Sequence, residues 1–388
     1  IVAAAMRACG ADAEALPRSD AMTLEVGRKY TTGKECYPSI ITTGDIVKKT
    51  MAPDFDPDHA AFLMPGASGP CRFGQYNRLH RLVLDELGLQ QVPILILDQT
   101  GDYLKDMNAV GRDFRLHCWR SMVILDEMQK MVLEKRPYEV NPGETDAVYG
   151  QWLETLLKNV GRDGDTLKEL SRQINGAFAA IKIDTGVPKP RVGIVGEIFV
   201  RSNDFANDSL VCKLEALGAQ AGLPPFEEWL DYIDFQRKRR YKLHLEGGWR
   251  DWAKQRLTEV VQERVAEPLR REFDNSIELF RREASTGSIL NRADTYLTKL
   301  IEGESVLSMG RVVEYAEHGF DGVVNIIPFG CMPGTIVSLL LHQFRRDYGL
   351  PVLNVVVEGT KDPGESIRFE AFIQQAREHL RQRLSGHK

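Results

Sequence analysis

Short, unbroken apolar runs alternate with longer amphipathic stretches along the chain. The runs His59 to Met64 (HAAFLM), Val92 to Leu97 (VPILIL), Val192 to Val200, Val323 to Ile327 and Val352 to Val357 read as strands buried on both faces. Helical periodicity marks Ile1 to Gly10, with Gly10 beyond the helix end, and a short strand-like AEALP follows it. It returns from Pro38, a residue suited to a first helical turn, to about Thr50, and again after Cys71. Tyr103 to Ile181 is helical in pattern, as are the segment around Cys212 up to Gly218, Pro225 to about Leu300, and about Ser366 to Leu384. Buried strands alternating with helices indicate α/β architecture with parallel sheets. The expected organisation is a first α/β lobe over 1–102, a helical segment over 103–182 and a linker over 183–190. A second α/β lobe is expected over 191–388, with a helical insert at about 225–300. The linker IDTGVPKP carries Gly186, Pro188 and Pro190. No short-period repeat is visible. The chain opens inside a helix with no strand before it, so further polypeptide is expected upstream.

Composition narrows the class without naming an activity. At 388 residues the chain can build two or three cores, and its 43% hydrophobic and 27% charged content is that of an ordinary globular protein. A net charge of −5 argues against general nucleic-acid binding. The basic run Gln236 to Lys242 (QRKRRYK) is expected to be a solvated helix face. No apolar run approaches a membrane span, and no signal peptide is evident. Six cysteines scattered over the whole length suit a reducing cytoplasm better than a secreted disulfide framework. CxxC, HExxH and GxxxxGK[ST] are absent, so any metal site has to be assembled by the fold.

Three cysteines stand out by context. Cys71 follows the first strand and a turn with Pro65, Gly66, Gly69 and Pro70, and precedes a helix; Cys36 lies in TTGKECYPSIITTGDIV and Cys331 in VVNIIPFGCMPG. A thiol at a helix start faces unpaired N–H groups and the positive end of the helix dipole, which favour the thiolate and lower its pKa. Cys71 and Cys331 each follow a parallel strand, at the carboxyl edge where open α/β sheets bind ligands, and Cys36 can reach the same crevice. Cys9, Cys118 and Cys212 lie within helices and read as structural. Three converging thiolates have four uses: structural zinc, an iron–sulfur cluster, redox thiols, or no shared role. Zinc lacks local ligand pairs and a fourth ligand here. On a [4Fe–4S] cube, three thiolates leave one iron open to water or substrate.

The segments GRKYTTGKECYPSIITTGD, MPGASGPCRFGQY, IIPFGCMPG and EGTKDPGESIRFEAF resemble the 2-hydroxyacyl-CoA dehydratase superfamily. They are similar in particular to the dehydratase-like domain at the C-terminus of large proteins related to the acyl-CoA dehydratase activases. Benzoyl-CoA reductase subunits and double-cubane cluster proteins are relatives. The likeness runs from Val26 to about Ala376. It implies two Rossmann-like parallel-sheet lobes with helical inserts, and a [4Fe–4S] cluster in the crevice between them held by Cys36, Cys71 and Cys331. It also implies low-potential, ATP-dependent reductase or dehydratase chemistry. The electron would come from an ATP-hydrolysing, ASKHA-type activator that carries the ATP and Mg itself. A homodimer and an acyl-CoA or small-molecule substrate are further implications. Double-cubane relatives need more than three thiolates, so one cube per chain is expected, and no feature identifies a CoA pocket.

Around the cysteines, Gly33, Gly69 and Gly330 are candidates for close backbone approach to the sulfurs, or are ordinary turn glycines. Arg72, Gln75 and Tyr76 are placed to face an open iron or to cap a helix. Glu197 reads as a crevice carboxylate, with Glu358, Glu365 and Arg368 as further candidates or salt-bridge partners. The alternatives to a catalytic domain are an electron relay, a double-cubane [8Fe–9S] module acting on small molecules, and a non-catalytic scaffold.

Overall fold

The computed structural model describes residues 1–67, 69, 71–98, 110–243, 245, 247–278, 284–360 and 362–386. The expected turn proline Pro70, the expected helix start at Tyr103 and the 102/103 boundary lie outside them. Helices α1 (Val2–Ala8), α2 (Ala21–Lys29) and α3 (Tyr37–Thr50) open the chain, followed by β1 (Phe62–Gly66), α4 (Tyr76–Glu86) and β2 (Ile94–Asp98). Three helices come next: α5 (Phe114–Lys135), α6 (Glu144–Asn159) and α7 (Gly164–Ala179). Then follow β3 (Arg191–Gly196), α8 (Ile198–Ser202), α9 (Leu210–Ala216), β4 (Gln220–Gly222), α10 (Glu227–Lys242), α11 (Trp249–Arg270) and α12 (Thr286–Ala293). The chain closes with α13 (Glu304–Glu317), β5 (Gly322–Pro328), α14 (Met332–Tyr348), β6 (Val352–Val357) and α15 (Glu365–Leu384). The protein is mixed α/β with parallel strand pairs, as its pattern of apolar runs predicts.

Two compact units emerge. One is helical and comprises Ile1–Ala15, Leu104–Lys189 and Gly222–Ser288. Its core follows from helical spacing. Ile124, Met128 and Met131 on α5 meet Leu167, Leu170, Ile174 and Phe178 on α7, all buried on one face of each helix. Asp126, buried on α5, caps α10 from a distance: its carboxylate accepts from the Phe226 and Glu227 amides at 3.1 and 2.9 Å. The basic run corrects its expectation. Gln236 and Arg237 are buried, Arg237 lies 3.7 Å from buried Asp234, and Lys238 pairs with Glu259 at 2.7 Å. Acidic partners on α10 and α11 draw the first part of this run inward while Lys242 stays exposed, which charge counting along one segment cannot show.

The other unit comprises Leu16–Tyr103, Pro190–Ala221 and Ile289–Lys388 and holds both sheets. β1 and β2 pair in parallel, and a four-stranded sheet has the order β4-β3-β5-β6, with β3–β5 and β5–β6 parallel. From β3 the chain leaves to β4 on one side and later returns as β5 on the other, which makes a topological switch point between β3 and β5. AEALP forms no strand. The first strand lies two to three residues later than its apolar run suggests. The third is shorter: Gly196 has φ +123°, and a Cβ there would sit 1.8 Å from the Ile326 carbonyl oxygen. The chain turns at that glycine, so the apolar IFV that follows enters α8 instead of extending β3. Cys212, read from sequence as structural, is exposed on α9; Cys9 and Cys118 are partly buried.

Candidate functional site

Each of the three singled-out cysteines is the residue that opens a helix. Cys36 precedes α3, Cys331 precedes α14, and Cys71 precedes the 3-10 turn Arg72–Gln75 that leads into α4. All three backbones are extended with nearly the same φ, with φ/ψ of −71/153°, −74/135° and −72/117°. Pro38 and Pro333 occupy the first turn after Cys36 and Cys331, where the missing N–H costs nothing. Gly33, Gly69 and Gly330 stand one to three residues before the cysteines with φ of +82°, +112° and +70°, so each bends the chain into its helix start.

Arg72 joins the three segments. Next to Cys71 in sequence, its guanidinium donates to the Lys34 carbonyl at 2.7 Å and to the Gly330 carbonyl at 2.9 Å. One cation thus ties the loop before Cys36 to the loop before Cys331. The cysteines also feel one another: Cys71 is acted on by Cys36, and Cys331 by Cys71.

The expected lowering of the thiol pKa values is overturned. Burial pushes Cys36 up, Cys71 to about 11 and Cys331 to about 12. The helix-start amides of Ser39, Phe73 and Gly334 do favour the thiolates, but desolvation outweighs them. The Glu197 carboxylate raises all three further, and Glu304 raises Cys71 and Cys331.

Glu197 occupies the switch point. It follows Gly196, its amide donates to the Ile326 carbonyl at 3.1 Å, and its carboxylate caps α8 through the Phe199 and Val200 amides at 3.2 and 2.9 Å. Burial holds its pKa above the usual range. Glu304, at the start of α13, accepts from the Ile198 amide at 2.7 Å. Sequence reading missed Glu304. Its only local signal is the preceding Gly303 at φ +119°, which starts a helix with a carboxylate in the first turn.

Tyr76 lies against Cys36, its hydroxyl oxygen 2.5 Å from Sγ. Both belong to a small buried cluster with Met64 of β1, against which Phe73 and Ile94 pack. His80, one turn on, is fully buried, and burial lowers its pKa to about 4; it contacts the Thr42 hydroxyl at 3.2 Å. It too went unnoticed in the sequence. Gln75 is exposed. Glu365 and Arg368 form ion pairs with Lys213 and Asp362. A cleft of about 340 Å³ is lined by Arg28, Glu35, Tyr37, Ile40, Phe329 and Glu358; none of the three cysteines lines it.

Among the described residues, no group of three or more His, Cys, Asp or Glu side chains is arranged to hold a single metal ion. Three thiolates on one zinc would lie roughly 3.8 Å apart, from Zn–S bonds of about 2.3 Å. Ligands of a cube bind different irons and stand farther apart. The donor set fits such a cluster on charge as well. Cys36 is buried, Cys331 partly buried and Cys71 exposed, and all three stand near carboxylates that oppose their ionisation, which a cationic core would offset. Among the described residues, no helix is long and apolar enough to cross a membrane. No protein-family model matches the chain, and no curated protein matches it significantly.

Proposed function

We propose that Cys36, Cys71 and Cys331 hold a [4Fe–4S] cluster with one open iron, and that the chain performs low-potential reductase or 2-hydroxyacyl-CoA dehydratase-like chemistry. The observation that carries the reading is Arg72, whose two hydrogen bonds bring the loops before Cys36 and Cys331 to the residue that follows Cys71. Three thiols set at helix starts by one guanidinium are hard to explain as unrelated cysteines. When bound, the cluster supplies a low-potential electron and a Lewis-acidic iron. The protein's part is to supply the thiolates, to place the Glu197 and Glu304 carboxyls near them, and to offer the cleft lined by Glu35 and Tyr37 for substrate.

The order β4-β3-β5-β6 supports reading residues 191–388, apart from their helical insert, as a Rossmann-like lobe, and the β1–β2 pair as part of the first lobe. The resemblance of the cysteine motifs adds an ATP-hydrolysing activator as electron donor, a homodimer and a cytoplasmic setting. An electron relay is the competing reading. The cleft of about 340 Å³, in the range for a small ligand and lined by Glu35 and Tyr37, which flank Cys36 in sequence, supports the enzyme, because a relay has no need of one.

Iron and acid-labile sulfide per chain in anaerobically purified protein test the proposal. About four of each, lost in Cys36→Ala, Cys71→Ala or Cys331→Ala, is the result expected for one cube. About eight irons would indicate the double-cubane form. No iron, or zinc in its place, would overturn the proposal.

A further inference from the structure

Of the three cysteine sulfurs, that of Cys36 alone meets a side-chain hydroxyl among the described residues, and the surroundings of that hydroxyl are specific. Tyr76 is buried, its ring set edge-on to Phe73 with centroids 5.5 Å apart and backed by His80 at 6.4 Å. Met64 and Ile94 close the apolar cluster around it. Four side chains fix the ring, while its one polar atom meets Sγ of Cys36. A phenol packed this tightly needs a partner for its hydroxyl, and the sulfur is that partner. A donor aimed at a ligand sulfur withdraws charge from it. Because the reduced state of a cluster is the more negative one, it gains more from the donor than the oxidised state does.

We propose that Tyr76 is a positioning residue that donates a hydrogen bond to the Cys36 sulfur and thereby raises the reduction potential of the cluster bound there. The inference rests on the cluster reading given above and adds to it an asymmetry: the Cys36 corner is electronically distinct from those of Cys71 and Cys331. Two substitutions move the potential in opposite directions. Tyr76→Phe keeps the ring and its packing but deletes the donor. It shifts the reduction equilibrium about tenfold toward the oxidised form, or about 59 mV more negative for one electron. Replacing Tyr76 by 3-fluorotyrosine keeps the shape and makes the hydroxyl a stronger donor, so the potential becomes more positive. Phe73→Leu loosens the ring without touching the hydroxyl and serves as the packing control.

The measurement is an EPR-monitored redox titration of each anaerobically purified protein, with iron counted in parallel. Opposite shifts for the two tyrosine replacements, at unchanged iron content, support the proposal, since damage to packing would not produce opposite signs. Reduction equilibria within twofold of wild type in both, about 18 mV for one electron, with iron still bound, overturn it and leave the cluster reading intact. Equal shifts of the same sign, or a Phe73→Leu shift as large as that of Tyr76→Phe, would overturn it in favour of packing. Wild-type protein without iron would overturn both.

Discussion

At the scale of single residues, the site is governed by a contest between helix-start amides and desolvation. Ser39, Phe73 and Gly334 amides pull the thiols toward ionisation, yet burial and the carboxylates of Glu197 and Glu304 win. The sign of the consequence follows from linkage. A thiol with a folded pKa above its unfolded value stabilises the metal-free fold below the unfolded pKa, near 9, and that stability is lost as pH rises toward 11 to 12. Urea midpoints of metal-free protein should therefore fall between pH 8 and pH 10.5, and the fall should be smaller in Cys331→Ala. An equal fall in that variant would mean that another group titrates. The helix-start context was readable in the sequence, since Pro38, Pro333 and the flanking glycines announce it. The direction of the shift was not, because desolvation depends on neighbours such as Glu304 that are remote along the chain.

At the scale of elements, glycines decide how closely the strands and helices that carry the site approach. Gly196 ends β3 where β5 leaves no room for a side chain, and its positive φ adds strain for any replacement. Gly196→Ala should cost roughly 4 kcal/mol or more, as it combines a backbone clash with an unfavourable conformation, and thermal unfolding would read it. A loss below about 1 kcal/mol would show that the strand end can relax. Gly44 on α3 lies against the Thr23 carbonyl of α2 and Gly27 on α2 against that of Ile40, so the helix opened by Cys36 is seated by paired glycines. Arg72 acts between elements. Arg72→Ala should cost only about 1 to 2 kcal/mol, because the guanidinium is exposed and its two bonds are to carbonyls. It should nevertheless speed amide hydrogen exchange around residues 33–36 and 329–331. Unchanged exchange in both segments would show that the loops hold themselves.

At the scale of the molecule, the helical unit stores charge in its interior. Burial, together with the Glu227 carboxylate, raises Asp231 to about 8. A carboxyl raised in the fold contributes stability below its unfolded pKa, near 4, and loses it as pH climbs toward 8. Asp231→Asn should then be more stable than wild type at pH 8, with the difference shrinking at pH 5. A pH-independent difference between the two would count against ionisation of this group as the cause. Asp126 behaves differently although burial raises it too, because it accepts the two amides that start α10. Removing that acceptor by Asp126→Ala should cost about 1 to 2 kcal/mol, the range of a lost helix cap.

The sequence by itself determined the class of fold and placed five of the six strands among the described residues to within a few residues, because the length of a continuous apolar run separates strand from helix; β4 has no such run, and β2 leaves Leu95 and Ile96 exposed. It also determined that Cys36, Cys71 and Cys331 open helices, since proline and glycine act on the backbone locally. Tertiary structure alone decided where β3 stops: the chain turns at Gly196, at φ +123°, against the Ile326 carbonyl of β5, which leaves no room for a side chain there. It alone buried Gln236 and Arg237 of the basic run and paired Arg237 and Lys238 with Asp234 and Glu259. It alone joined Arg72 to Lys34 and Gly330 and Tyr76 to Cys36, contacts that span 38, 258 and 40 residues. Backbone preference is written within a few positions of the chain, whereas desolvation and pairing depend on what the fold brings alongside.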